Sequence, residues 1–290
     1  MTDQDIFEFA SLGSGSSGNA TIVRAGRELV LIDCGFGLKE TQARLLKLGI
    51  AAAELTAIFI THEHGDHIKG AGPLARKFNI PVYTSSGTYY SGKLGKLTQV
   101  KLFDNFKPIC LDADDRYQGA GPVRVHPVAV PHDAREPAQF IVEFNQRRLG
   151  ILTDLGHISP HVEKAYQDCD ALLLEANHCT DMLQAGPYPA QLKQRVGGNW
   201  GHLNNHQSAA LFQSVDCERL QTLVLGHISQ NNNSVARVRE VFEPLIASTA
   251  KARKASEPLQ AYYACQDEGF DWISVSKDHV ISHDQAEHAA

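Results

Sequence analysis

The segment Thr61-His62-Glu63-His64-Gly65-Asp66-His67 gathers four metal-ligand side chains, His62, His64, Asp66 and His67, within six positions. It follows the apolar run Ala57-Ile58-Phe59-Ile60, which reads as a short buried strand because β-branched and aromatic residues pack well on a pleated surface. The donors then fall on the loop leaving that strand, and Asp66 and His67 open the next helix. His62 and His64 are two apart, so an extended turn aims both imidazoles the same way. Asp66 and His67 sit on the following bend, where they reach toward a second ion. Two ions about 3.5–4 Å apart can share one hydroxide, a nucleophile at neutral pH. A single histidine is more often a core or surface residue than a ligand, but chance seldom collects so many donors. The pattern predicts a metal site.

One segment cannot complete a two-metal site, so other parts of the chain must supply donors. Three further places qualify, each at the end of an expected strand. Val123 to Val130 alternates and breaks at Pro131-His132-Asp133. Arg148 to Leu152 is followed by Thr153-Asp154-Leu155-Gly156, and Leu223-Val224-Leu225-Gly226 leads into His227. Strand tips hold ligands on rigid supports. A further acid, Asp33, ends the run Leu29-Val30-Leu31-Ile32 and is expected to orient a ligating histidine through its free N–H.

The order Asp33, then His62, His64, Asp66 and His67, then His132, Asp154 and His227 resembles the five ordered motifs of the metallo-β-lactamase superfamily. The resemblance spans about Phe7 to Ile273. It implies that His62, His64 and His132 hold one metal ion, that Asp66, His67 and His227 hold a second, and that Asp154 bridges them. It also implies a four-layer αββα sandwich, two mixed sheets face to face with helices outside. Strands alternating with amphipathic helices point separately to layered α/β architecture. Histidine and carboxylate donors suit Zn, Mn and Fe alike, so the identity of the two divalent ions stays open.

Composition agrees with this architecture. With 43% hydrophobic residues, a chain of 290 can bury a substantial core, and no low-complexity linker or internal repeat divides it. The expectation is one domain over residues 1–278 and a polar tail over 279–290. The first residues, Met1-Thr2-Asp3-Gln4-Asp5, are unlike a signal peptide, and no apolar run approaches the roughly 20 residues that span a bilayer. Six cysteines without a C-x-x-C pair suggest neither a zinc ribbon nor a disulfide framework. Cytoplasmic residence without a membrane partner follows as the expectation. A net charge of −6 lacks the basic footprint common in nucleic-acid binders. Yet ions would cancel the charge of the ligating acids. Charge neither establishes nor excludes a nucleic-acid substrate.

Other elements can be placed coarsely. Ile6 to Ala10 and Thr21 to Ala25 read as strands around the loop Leu12 to Asn19. Leu38 to Leu48 has helical spacing. Ser159 before Pro160 is a helix start, and Asn204 or Asn205 can cap a helix running to about Val215. Asp170 to Leu174 is a buried strand, Ser234 opens a helix to about Ile246, and Tyr262 to Ala264 and Trp272 to Val275 close the fold. The Gly/Ser loop has two readings. It is a turn, rich in Gly and Ser because turns require them, or a nest in which Ser14, Ser16, Ser17 and Asn19 receive phosphate oxygens.

Ser11 to Ala20 also resembles the opening of the YycJ/WalJ-type branch of the superfamily, as do Leu173 to His178, Gly186 to Pro189, His202 to Asn205 and His227 to Asn233. Members of that branch look like metal-dependent exonucleases that act on DNA from the 5′ end. The resemblance implies that activity here, with DNA as substrate. Cys179 and Asn231 depart from it, standing where the branch usually carries acids. Mechanistically, Asp66 is expected to orient the nucleophile, while His202 and His178 are candidates for proton transfer to the leaving oxygen. The plainer reading of both histidines is packing or capping. The rivals are a small-molecule phosphodiesterase, a glyoxalase II-type thioesterase and, in another class, a non-catalytic metal-binding protein, because function lives in substrate-facing loops.

Overall fold

A computed structural model describes residues 5–111, 121–216, 218–252 and 258–275. The expected polar tail, 279–290, lies outside the described residues. The chain forms two seven-stranded mixed sheets. The first contains β1 (Phe7–Gly13), β2 (Ala20–Ala25), β3 (Glu28–Ile32), β4 (Ala57–Phe59), β5 (Val82–Thr84) and β6 (Val100–Leu102) in that order. The second runs from β7 (Ile109–Cys110) through β8 (Arg124–Ala129), β9 (Ala138–Phe144), β10 (Arg147–Leu152), β11 (Ala171–Glu175) and β12 (Thr222–Gly226) to β13 (Gln260–Tyr263). The last strand, β14 (Phe270–Ser274), returns to the first sheet beside β1.

The period of two along each strand builds the layers. In β11, Leu173 points into the core between the sheets, while Leu172 and Leu174 point outward to the helices. In β12 the same division separates Val224 from Leu223 and Leu225. Phe59 meets Phe140 across the two sheets with ring centroids 5.5 Å apart, and Phe7 meets Phe144 at 5.9 Å. Both faces of the central strands are therefore buried, which is why they read as unbroken apolar runs rather than alternating ones. Outside the first sheet, Leu45 of α1 (Leu38–Lys47) and Leu74 of α3 (Ala71–Phe78) cover Ile22, Leu31 and Ile58. Outside the second lie α5 (Pro160–Tyr166), α8 (Asn205–Ser214) and α9 (Val235–Ala252), burying Tyr166, Phe212 and Phe242, while the shorter helices α2 (Gly65–Ile68), α4 (Ser86–Tyr89), α6 (Thr180–Ala185) and α7 (Ala190–Val196) fall in the connections. The αββα sandwich expected from the sequence is the fold that forms.

Helix boundaries follow local chemistry. Ser159 caps α5 by accepting from the Val162 N–H. Asn204, rather than Asn205, caps α8 in a reciprocal box with Gln207. The helix opened by Ser234 runs on to Ala252, past the expected Ile246. Among the described residues, no helix is long and apolar enough to cross a membrane.

Strand direction then decides where the chemistry collects. β10, β11 and β12 are mutually parallel, and β8 points the same way because β9 is antiparallel to both β8 and β10. β3 and β4 are parallel in the other sheet. Each of these strands except β11 is followed, at its carboxyl end, by one of the expected donors or by Asp33.

Candidate metal centre

Asp33 and His227, both just past strand ends, lie in the left-handed region, with φ of 61° and 52°. Such backbone costs about 1–3 kcal/mol per residue and persists only where its surroundings fix it. They are fixed here. The Asp33 N–H donates to the Phe59 carbonyl at 2.8 Å, and the His227 N–H donates to the Ser14 hydroxyl at 2.8 Å.

Four of the five expected donor histidines, His62, His67, His132 and His227, are tied at one ring nitrogen and turn the other inward. His67 Nδ1 lies 2.7 Å from Asp33 Oδ2, while its Nε2 lies 3.2 Å from Asp154 Oδ2 and 3.5 Å from Asp66 Oδ2. His62 Nδ1 lies 2.9 Å from the Thr61 hydroxyl, which in turn donates to Asp33 at 2.8 Å. His132 Nδ1 donates to the Gly201 carbonyl at 3.0 Å, and its Nε2 lies 3.3 Å from His64 Nδ1. His227 Nδ1 donates to the Thr153 carbonyl at 2.6 Å. All seven predicted donors thus meet at one place. Their ligand atoms form three overlapping sets: His62, His64 and His132; His62, His67 and Asp154; and Asp66, His67 and His227. Within each set the atoms lie within 4.8 Å of one another. Asp154 turns one oxygen to His67 and the other to His132, at 3.8 Å.

These donors fit divalent cations. His62 Nε2 and Asp154 Oδ2 are buried and have no hydrogen-bond partner, a costly state for polar atoms unless a cation takes them. Electrostatics agree. Burial opposes a charge on His67, but the carboxylates of Asp154, Asp33 and Asp66 outweigh it and hold the imidazole well above the usual histidine range. The same pocket of negative charge attracts a metal ion.

Glu175 was not singled out from the sequence as a site residue. Fully buried at the end of β11, it places Oε1 2.7 Å from His202 Nδ1 and 3.1 Å from His227 Nδ1. Its Oε2 accepts from the backbone N–H groups of Leu155 and Leu203, each at 3.1 Å. Burial pushes the carboxyl up, yet His202 and His227 pull it down to about 2. Glu175, His202, His227 and Asp154 also group closely enough for an ion. With both Glu175 oxygens already satisfied, an anchoring role suits it better than ligation. The signal was present: Asp33, Asp154 and Glu175 each stand at or just beyond the end of an apolar strand run.

Glu63 also does something the motif does not reveal. Its Oε1 accepts from the Arg135 N–H at 2.8 Å, and its carbonyl accepts from Lys93 at 2.8 Å, so it ties the metal loop to its neighbours. In the Gly/Ser loop, Ser14 and Asn19 are buried and engaged. The Asn19 side chain accepts from the Gly15 N–H at 2.8 Å, and its amide nitrogen lies 3.1 Å from His67 Nε2. Ser16 and Ser17 are exposed, and the Ser17 hydroxyl accepts from Gln266 at 3.0 Å. His178 is buried with Nδ1 unpartnered, and burial takes its pKa down to about 4.

The chain matches the Beta-lactamase superfamily domain over residues 28–228. It belongs to the metallo-β-lactamase superfamily. Within that superfamily it is 31% identical, over 227 residues, to the Exodeoxyribonuclease YycJ of Bacillus anthracis. It is 32% identical, over 233 residues, to the Exodeoxyribonuclease WalJ of Streptococcus pneumoniae. Each alignment covers 78% of this chain and 83% of the relative. The metallo-beta-lactamase fold protein YhfI from Bacillus subtilis shares the fold at a TM-score of 0.65 and 16% identity, covering 93% of this chain and 99% of that one. The superfamily fold and the clustered donors together make the carboxyl edge of the two sheets a divalent-metal site.

One glycine beside the site is sterically required. A Cβ on Gly35 would stand 1.7 Å from the Asp66 carbonyl oxygen, a backbone atom that cannot swing aside. Gly35→Ala is expected to cost about 1–3 kcal/mol, as overpacking does, and to displace Asp66. A lowered melting temperature together with weakened metal retention, by calorimetry and elemental analysis, is the outcome to check. Unchanged values in both would contradict the packing described.

Proposed function

We propose that this chain is a metal-dependent phosphodiester hydrolase that digests DNA from the 5′ end. The observation that carries the reading is its similarity, over most of its length, to two proteins named exodeoxyribonuclease. The donor geometry supports two ions, one among His62, His64 and His132 and the other among Asp66, His67 and His227, with Asp154 between them. Zn and Mn are the first metals to test, with Fe also compatible. Divalent ions held there supply Lewis acidity toward phosphoryl oxygens and lower the pKa of water.

The chain's own groups divide the remaining work. Asp66, half-buried and held below the usual carboxylate range chiefly by His67 against the opposing effect of burial, stays ionised, accepts a hydrogen bond from the attacking water and fixes its direction. His202 is only partly buried, and Glu175 holds its Nδ1 side 3.5 Å from Asp154 Oδ1. Its other ring nitrogen is free to hand a proton to the leaving oxygen. Glu175, 2.7 Å from His202 Nδ1, fixes the orientation of the ring for this step. His178 is neutral at pH 7 and lends His202 a neighbour rather than a proton. Asp33 positions His67. Ser14 and Asn19 hold the backbone and side chains of the centre, which leaves Ser16 and Ser17 as the loop's candidates for phosphate. Scattered cysteines suit work in the cytoplasm.

A substrate panel tests this. After chelation the chain should hydrolyse nothing. Restored with Mn²⁺ or Zn²⁺, it should digest DNA faster than a simple phosphodiester ester and leave a glutathione thioester intact. Preference for the thioester would overturn the proposal.

A further inference from the structure

Most of the chain's aromatic side chains are covered, but Trp200 is 61% exposed. A single exposed aromatic is ordinary; its support is not. Trp200 lies on the turn between α7 (Ala190–Val196) and α8, two residues before His202, so their Cα atoms are at most ~7 Å apart. The carbonyl before it, on Asn199, accepts from His157 Nδ1 at 2.9 Å, and the carbonyl after it, on Gly201, accepts from the ligand His132 at 3.0 Å. The turn is also pressed against the backbone beyond Asp154. A Cβ on Gly156 would lie 2.2 Å from the Asn199 carbonyl oxygen and 2.6 Å from Trp200 Cα. The backbone is thus clamped from both sides by the metal centre. The indole and the His157 ring form a T-shaped pair, with centroids 6.3 Å apart and an interplanar angle of 87°. Arg195, mostly exposed and paired with Asp133, places positive charge at the start of the same turn.

Resting on the nuclease reading above, we infer that Trp200 is a stacking platform for the unpaired terminal nucleobase of the DNA strand being cut. A flat, exposed indole carried on a turn whose backbone is clamped to the donor cluster can take any base, because every base has a π-face. It requires the base to be unstacked from its neighbours, so the favoured substrate is a single-stranded or frayed end. Arg195 accompanies the phosphate of the same strand. Trp272, the other tryptophan, is differently placed: its ring N–H donates to the Leu48 carbonyl at 3.2 Å and Arg24 covers its face.

The test compares 5′-phosphorylated oligonucleotides that carry either a normal or an abasic terminal nucleotide. Wild-type protein should show a KM about tenfold higher for the abasic end, a typical stacking effect, and little preference among the four bases. Trp200→Ala should raise KM for the normal end by about the same factor and erase the discrimination. Trp200→Phe should keep most of it. Equal slowing of both substrates by Trp200→Ala, or discrimination that survives it, would overturn the inference while leaving the nuclease reading intact. A second readout needs no turnover. In Trp272→Phe protein with metal bound, a non-hydrolysable oligonucleotide should quench indole fluorescence, and an abasic one should not. If wild type cleaves no DNA, the nuclease reading fails by itself. Absent quenching then also removes the stacking role.

Discussion

Asp154→Ala should reduce hydrolysis by about 1000-fold or more while leaving the sandwich folded. The side chain is buried, and its two oxygens face different donor sets, 3.2 Å from His67 Nε2 and 3.8 Å from His132 Nε2. Its loss removes the one carboxylate placed to reach both sets. Several kcal/mol of transition-state stabilisation depend on such ions, and each 1.36 kcal/mol is a factor of ten. Stability without metal should fall, because the buried His67 imidazole loses the carboxylate 3.2 Å from its Nε2 that does most to hold it charged. The checks are kcat/KM on DNA, bound metal by elemental analysis, and circular dichroism. Full activity in Asp154→Ala would mean that the donors are assigned wrongly.

Removing Glu175 should be nearly as severe but should show a different signature. Glu175→Ala leaves His202 and His227 without their shared anchor and the Leu155 and Leu203 N–H groups unpaired. Each buried unpaired group costs about 1–3 kcal/mol, so thermal stability should drop visibly. Loss of a positioned acid costs about 100- to 10,000-fold in rate, and loss of an anchor costs about 10- to 100-fold in metal affinity. Raising the metal concentration should therefore restore occupancy but not rate. Recovery of wild-type kcat at saturating metal would reduce Glu175 to a metal-retention role.

Acid stability gives Glu175 a separate test in chelated protein. Its folded pKa of about 2 is depressed, so the stability it contributes is complete above the ordinary carboxylate value of 4.5 and is lost as pH falls toward 2. Glu175→Gln should flatten that part of the stability profile.

The legible parts of the molecule were those written in short segments. Each of the seven donors follows an apolar strand, and strand tips are easy to read because period and punctuation change there. Asp33 was legible for the same reason, and it lies 2.7 Å from His67 Nδ1. Glu175 carried the same mark but was hidden. It ends the fully buried strand Ala171–Glu175, and its partners His202 and His227 arrive from elements 27 and 52 residues away. Nothing local announces them. The composition of the Gly/Ser loop left a turn and a phosphate nest open, and local sequence could not show that Ser14 and Asn19 bond to His227 and Gly15. Strand β9 escaped notice although its residues Phe140 and Val142 help form the centre of the core. The short helix α7 buries none of its side chains, so no apolar stripe marked it in advance.

On the proposed function, the donors gathered at the carboxyl edge of the two sheets hold metal and, with it, cut DNA. The most direct measurement is digestion of a 5′-phosphorylated duplex labelled at either end, in Mn²⁺, by wild type and His64→Ala side by side. Progressive loss from the 5′ end by wild type alone is the predicted result. No cleavage by a folded wild-type protein shown to contain metal, or equal cleavage by both proteins, would contradict it.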